Sequence, residues 1–199
     1  MRPLVWRAYA HDELQGDERA TPPAGAVSTV SPMVAARGSI QDDRMTTPQI
    51  RRASASDAAR LTEIAHHAKA HWGYDDELLA LWDDDLTLTE DFIESHPVFC
   101  AVHAEDIVGL YALTREGSTF ELEHMWVDPG HIGTGAGRLL FEHAVIEVRA
   151  RGGAALRIAS DPNAEGFYIA MGARRVGDVP SRPAGRTLPL LELDIKEMR

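Results

Sequence analysis

The chain has 199 residues, 44% of them hydrophobic and 26% charged, which suits one globular domain with or without a tail and leaves no room for two full catalytic domains. Its formal net charge of −11, with no local basic patch, disfavours a nucleic-acid partner, since such a surface repels phosphate backbones. No apolar run approaches the ~18 residues of a membrane span and no signal-peptide core is present, so no membrane partner is expected and a cytoplasmic location is the default.

Residues 1–48 mix Pro, Gly, Ala, Ser and Thr with scattered charges and show no useful period, so they read as a poorly structured N-terminal extension in front of a domain over 49–199. Met33 and Met45 lie inside it, and translation from Met45 would remove nearly all of it; an intact mass that includes Met1 would exclude that start.

From Ile50 the pattern changes. A strand over 50–53 gives way at Ser54 and Ser56 to a helix signal, with Leu61, Ile64, Ala65 and Ala68 at helical spacing. Further helical stretches are expected over 77–82 and 90–95. Strand-like runs over 98–103, 107–114 and 120–127, joined by short turns, predict an antiparallel meander. The single cysteine, Cys100, lies in the first of these and reads as a buried structural thiol. A helix over 135–151 closed by Gly152 and Gly153, a strand over 156–159, a short helix over 164–171 and strands over 174–179 and 188–195 complete an α/β domain built on a mixed, mostly antiparallel sheet flanked by helices.

Between the strand ending at Val127 and the next helix, Gly133, Gly135 and Gly137 fall at alternate positions. Such glycines let backbone N–H groups converge on an anion, and the helix N-terminus adds a favourable partial charge. The turn lacks the Gly-Lys-Ser/Thr ending of a nucleotide P-loop, and Arg138 stands where a dinucleotide fold needs its third glycine.

Strand, Val127-x-Pro129, Gly133-x-Gly135-x-Gly137-Arg138-x-Leu140 and amphipathic helix resemble the acetyl-CoA motif of the GNAT acyltransferase family. Downstream, Asn163, Ala164, Phe167, Tyr168 and Gly172 resemble the family's Asn-x-x-Ala-x-x-Phe-Tyr-x-x-x-Gly-Phe segment, with the alanine shifted and Ala173 in place of the aromatic. The resemblance spans about residues 50 to 195. It implies a GNAT-like fold and direct transfer of an acetyl or related short acyl group from acetyl-CoA to a primary amine. The pyrophosphate would lie on Ile132, Gly133, Thr134, Gly135, Ala136, Gly137 and Arg138, and the pantetheine arm on the main chain of Met125, Trp126 and Val127. Asn163 would contact the CoA arm, although its short side chain equally suits a helix N-cap. Ile132 departs from the family's Arg or Gln, with Arg138 a candidate to compensate.

Strand alternation over 120–127 sends Glu121, Glu123, Met125 and Val127 to one face and Leu122, His124 and Trp126 to the other, so two carboxylates share a face. The resemblance favours Glu123 as the base, with Glu121 close behind, and makes Tyr168 the acid that protonates the departing thiolate. Ordinary strand charges and an aromatic packed on Phe167 are the structural alternatives. His124 reads either as an acceptor-pocket residue or as a structural imidazole. His66, His67 and His71 lack a zinc-binding helix motif, so no metal is expected.

The amine acceptor, a small molecule or a peptide, is not identifiable from any motif. Between Tyr74 and Asp106 eleven acidic residues stand without a Lys or Arg, which makes cationic amines candidates. A second copy of the chain is a candidate partner, as a homodimer. The rival functional class is an acyl-CoA-binding sensor that keeps the fold without turnover; an acyltransferase acting on protein or tRNA is a third reading.

Overall fold

The computed structural model describes residues 47–196. The extension and the alternative start at Met45 lie outside them. Seven strands form one sheet in the order β1-β2-β3-β4-β5-β7-β6, with β1 Gln49–Arg52, β2 Val98–His103, β3 Asp106–Glu116, β4 Thr119–Val127, β5 Ala155–Ala159, β6 Arg174–Ser181 and β7 Arg186–Asp194. All neighbours are antiparallel except β4 and β5.

Each sheet face carries its own core. On one side α5, Ala136–Ala150, lays Leu140, Phe141, Ala144, Val145 and Val148 on Tyr111, Leu113, Phe120 and Leu122. These apolar residues recur every three or four positions, which places them on one helix face. Gly109 permits the approach, because a Cβ there would meet Leu140 Cδ1 at 2.9 Å and the Trp126 carbonyl oxygen at 2.8 Å. On the other side α1, Ala58–Ala70, buries Leu61, Ile64, Ala65 and Ala68 against Cys100, Leu110, Ala112 and Trp126. Cys100 is fully buried, which pushes its thiol up to about 11 and suits the structural role read from the sequence.

Three short helices follow α1: α2 Asp76–Leu81, α3 Asp83–Leu86 and α4 Glu90–Ser95. The Asp75 and Thr89 side chains cap α2 and α4 by accepting the Leu78 and Phe92 N–H groups, caps worth ~1 kcal/mol each. The sequence carries no sign of α3, since three consecutive aspartates break any apolar period. Helix α6 runs Glu165–Ala170.

Two features of β4 shape the space beside it. It pairs with β5 only through Thr119, Phe120 and Glu121, and beyond that the two strands separate. Opposite Ala112 and Leu113 the register slips, Ala112 facing His124 and Leu113 facing Leu122, so Glu123 is the extra residue of a β-bulge. The bulge corrects the simple alternation. Leu122 joins Met125 and Val127 on the α5 face. Glu123, hydrogen-bonded to Thr114, and Glu121, which pairs opposite Thr114, lie on the α1 face with Trp126. The two carboxylates do share a face, but it is the opposite one from Met125 and Val127.

Candidate active site

A cavity of about 450 Å³ fills the gap where β4 and β5 part. Because β4 beyond Glu121 has a strand partner only on its β3 side, main-chain groups along its other edge are available to a ligand. Met125, Trp126 and Val127 line the cavity there.

The glycine turn forms one end. Asp128 accepts the Gly130 N–H at 3.1 Å, a one-turn 3-10 helix covers Pro129–His131, and the chain enters α5 through Gly133 at φ 82° and Gly135 at φ 93°. Both are left-handed conformations that glycine adopts without a Cβ penalty. Ile132, Gly133, Gly135, Gly137 and Arg138 line the cavity. Arg138 Nε donates to Glu142 Oε1 at 2.8 Å in an exposed pair along α5, so part of that guanidinium is engaged away from any phosphate.

Three of the expected cofactor-binding residues, Thr134, Ala136 and Asn163, are not among those that line the cavity. Thr134 does not line the cavity, and its hydroxyl donates to the His131 carbonyl oxygen at 2.7 Å. Ala136 is packed into the α5 core, which leaves only its main chain for a ligand. Asn163 lies outside the lining and is not the cap of α6, a position held by Ala164. Its side-chain amide and its own N–H both donate to Asp161 Oδ1, each at 3.0 Å.

Ala68 of α1, Trp72 just after that helix and Glu123 also line the cavity. Glu123 is 5% exposed and its Oε2 accepts the Thr114 hydroxyl at 3.2 Å. Glu121 does not line the cavity; burial raises its pKa against the opposing pull of Arg157. Tyr168 forms part of the wall, its ring set against Phe167 and Phe141 at centroid distances of 5.1 and 5.7 Å. Burial, aided by the Asp161 charge, pushes its pKa above the usual tyrosine value, so the phenol stays protonated at neutral pH. His124 is outside the lining and buried. Its Nδ1 accepts the Trp126 Nε1–H at 3.2 Å, and burial depresses its pKa to about 3, which fixes it as a neutral structural imidazole.

Sequence reasoning missed Asp161, Lys69 and Tyr74. Asp161 lines the cavity at the end of β5, where Oδ2 accepts from Lys69 Nζ at 2.7 Å and from the Tyr74 hydroxyl at 2.8 Å. A charged residue two positions after the strand and before a proline was the signal available. Among the described residues no cluster of three or more His, Cys, Asp or Glu side chains is arranged to hold a metal ion, and no helix is long and apolar enough to cross a membrane.

A glycine turn feeding a helix N-terminus and a parallel strand pair that parts beside one cavity are the features the resemblance to CoA-dependent acyltransferases implies. Residues 74–185 match the family model described as the acetyltransferase (GNAT) domain, and the chain belongs to that family. It is 33% identical over 107 residues to peptidyl-lysine N-acetyltransferase YjaB of Salmonella typhimurium, an alignment covering 53% of this chain and 70% of that one. Among solved structures it resembles the PaiA N-acetyltransferase of Thermoplasma acidophilum in complex with coenzyme A (TM-score 0.60, 18% identity, 75% of this chain and 99% of that one). It also resembles YncA of Salmonella typhimurium with acetyl-CoA (TM-score 0.55, 22% identity, 77% and 97%). The chain is thus an acyl-CoA-dependent N-acetyltransferase with acetyl-CoA as its cosubstrate.

Proposed function

We propose that this enzyme moves the acetyl group of acetyl-CoA directly to a primary amine, with Glu123 as the base and Tyr168 as the acid. The observation that carries the reading is that both side chains line one cavity with the glycine turn. Asp161 is a poor rival for the base, because four donors already occupy its two oxygens. Acetyl-CoA supplies the activated thioester. Glu123 removes the proton that the amine must lose, directly or through water, while the Tyr168 hydroxyl delivers one to the departing sulfur. Main-chain N–H groups on the unpaired edge of β4 would hold the pantetheine arm and polarise the thioester carbonyl.

The acceptor side carries an exposed Trp72 and, three residues on, Asp75, Asp76 and Glu77, which favours a cationic amine on an aliphatic chain. Similarity to a peptidyl-lysine acetyltransferase supports a lysine side chain in a peptide as the first acceptor to try. The test is a thiol-release assay with acetyl-CoA against lysine peptides, polyamines, aminoglycosides and free amino acids. Turnover with peptides or polyamines is expected. Release of CoA only with anionic or neutral acceptors would reject the cationic reading, and no acceptor-dependent release from any amine would reject direct transfer.

A further inference from the structure

The sequence contains eighteen arginines but only two lysines, Lys69 and Lys196. Lys69 is 1% exposed on α1. Its ammonium lies 2.7 Å from Asp161 Oδ2 and 4.5 and 4.6 Å from the ring centroids of Tyr74 and Trp82. The Arg186 guanidinium lies against the same two rings, at 5.9 and 5.2 Å from their centroids, so Lys69 is the cation of this aromatic box that holds the Asp161 carboxylate.

The partners of this pair bear on both walls of the cavity. Ala68, next to Lys69, and Trp72, just beyond it, form the wall assigned to the acceptor. Asp161 holds the Asn163 main chain and side chain, and that turn leads into α6 and Tyr168. The carboxylate therefore ties the acceptor side to the acid side through one charge-assisted hydrogen bond, with the Tyr74 hydroxyl on the same oxygen.

We propose that Lys69, which does not line the cavity, is a positioning residue of the transfer reaction: through Asp161 it sets the α1 wall in register with the turn that carries Tyr168. This rests on the reading of Tyr168 as the acid. A catalytic group displaced by ~1 Å loses up to ~10²-fold in rate, whereas the phosphate cradle, whose glycines make no hydrogen bond to Lys69 or Asp161, should change less.

The experiment is steady-state kinetics and thermal denaturation of Lys69→Met, Asp161→Asn, the double variant and Tyr74→Phe, with Tyr168→Phe alongside. Each charge variant should lower kcat by about 10–100-fold with KM for acetyl-CoA little changed. The double variant, which removes both opposite charges of the pair and leaves Arg186 on the same rings, should regain thermal stability relative to the single variants but not kcat. Tyr74→Phe removes one donor of the four and should lower kcat severalfold. Wild-type kcat in Lys69→Met, or its full return in the double variant, would overturn the proposal. If neither charge variant folds, wild-type kcat in Tyr74→Phe overturns it alone. The underlying reading fails separately, by wild-type kcat in Tyr168→Phe.

Discussion

Thr114 donates its hydroxyl to Glu123 Oε2 at 3.2 Å, from the strand position that pairs with Glu121. The bulge thus makes the two glutamates inequivalent: Glu123 reaches the cavity and Glu121 stays on the sheet face. Glu123→Gln should lower kcat by ~10²–10⁴-fold and remove the acidic limb of the pH–rate profile, as loss of a general base does. Glu121→Gln should leave both near wild type. The reverse outcome in rate profiles of the two variants would move the base to Glu121.

Most of the fold was legible in the sequence because apolar periodicity and glycine punctuation agree along the domain. Helix α4 and strand β2 were read at their observed ends. The bulge was not legible, since strand alternation has no local signal for one inserted residue, and that single residue decides which side chains share a face with Glu123. The Lys69–Asp161 pair, 92 residues apart, was equally hidden, because no local pattern announces which strand end a helix lysine will meet.

Tyr168→Phe keeps the ring against Phe141 and Phe167 and deletes only the hydroxyl. The expected outcome is a kcat loss of ~10²-fold or more at unchanged CoA affinity. Isothermal titration with CoA and steady-state kinetics on the same preparation check both halves.

Gly135 and Gly137 should answer to substitution differently. At φ 93° an alanine at Gly135 is strained by ~1–2 kcal/mol even though nothing lies within 4 Å of its Cβ. At Gly137 the nearest atom to a Cβ is Val127 Cγ2 at 3.6 Å, an ordinary contact, and the position is inside α5. Gly137→Ala should therefore be at least as stable as wild type, by up to ~0.5–1 kcal/mol, while binding CoA more weakly because the methyl enters the cavity. Calorimetry showing normal CoA affinity would remove the cradle argument for this glycine.

The acidic segment proposed to face the acceptor gives a kinetic signature. Of the eleven acidic residues, Asp75 caps α2, Asp83 approaches His66 at 3.5 Å and Asp85 is paired with Arg182 at 2.6 Å, so these are partly committed to the fold. The exposed remainder can still steer a cation, and steering fades as the Debye length falls from ~10 Å at 0.1 M to ~3 Å at 1 M salt. For a polycationic acceptor kcat/KM should drop more steeply with salt than for a monoamine. Equal salt dependence for both leaves the segment without a substrate role.

His124 ties the stability of the fold to pH. Its ring accepts the Trp126 N–H and meets Phe92 edge-on at 5.6 Å, in a site where burial holds the pKa near about 3 against an ordinary 6.5. Between these values the unfolded chain binds a proton that the folded chain refuses. Stability from this group is complete above pH 6.5 and declines as pH falls toward about 3, at a slope of no more than ~1.4 kcal/mol per pH unit. In His124→Asn the amide oxygen can still accept from Trp126 and nothing titrates. That variant should start less stable at pH 8, since it loses ring packing, yet show a flatter decline between pH 6.5 and 4. Urea melts at half-unit intervals measure the slope directly, and parallel curves for wild type and variant would mean that His124 takes up its proton without unfolding the protein.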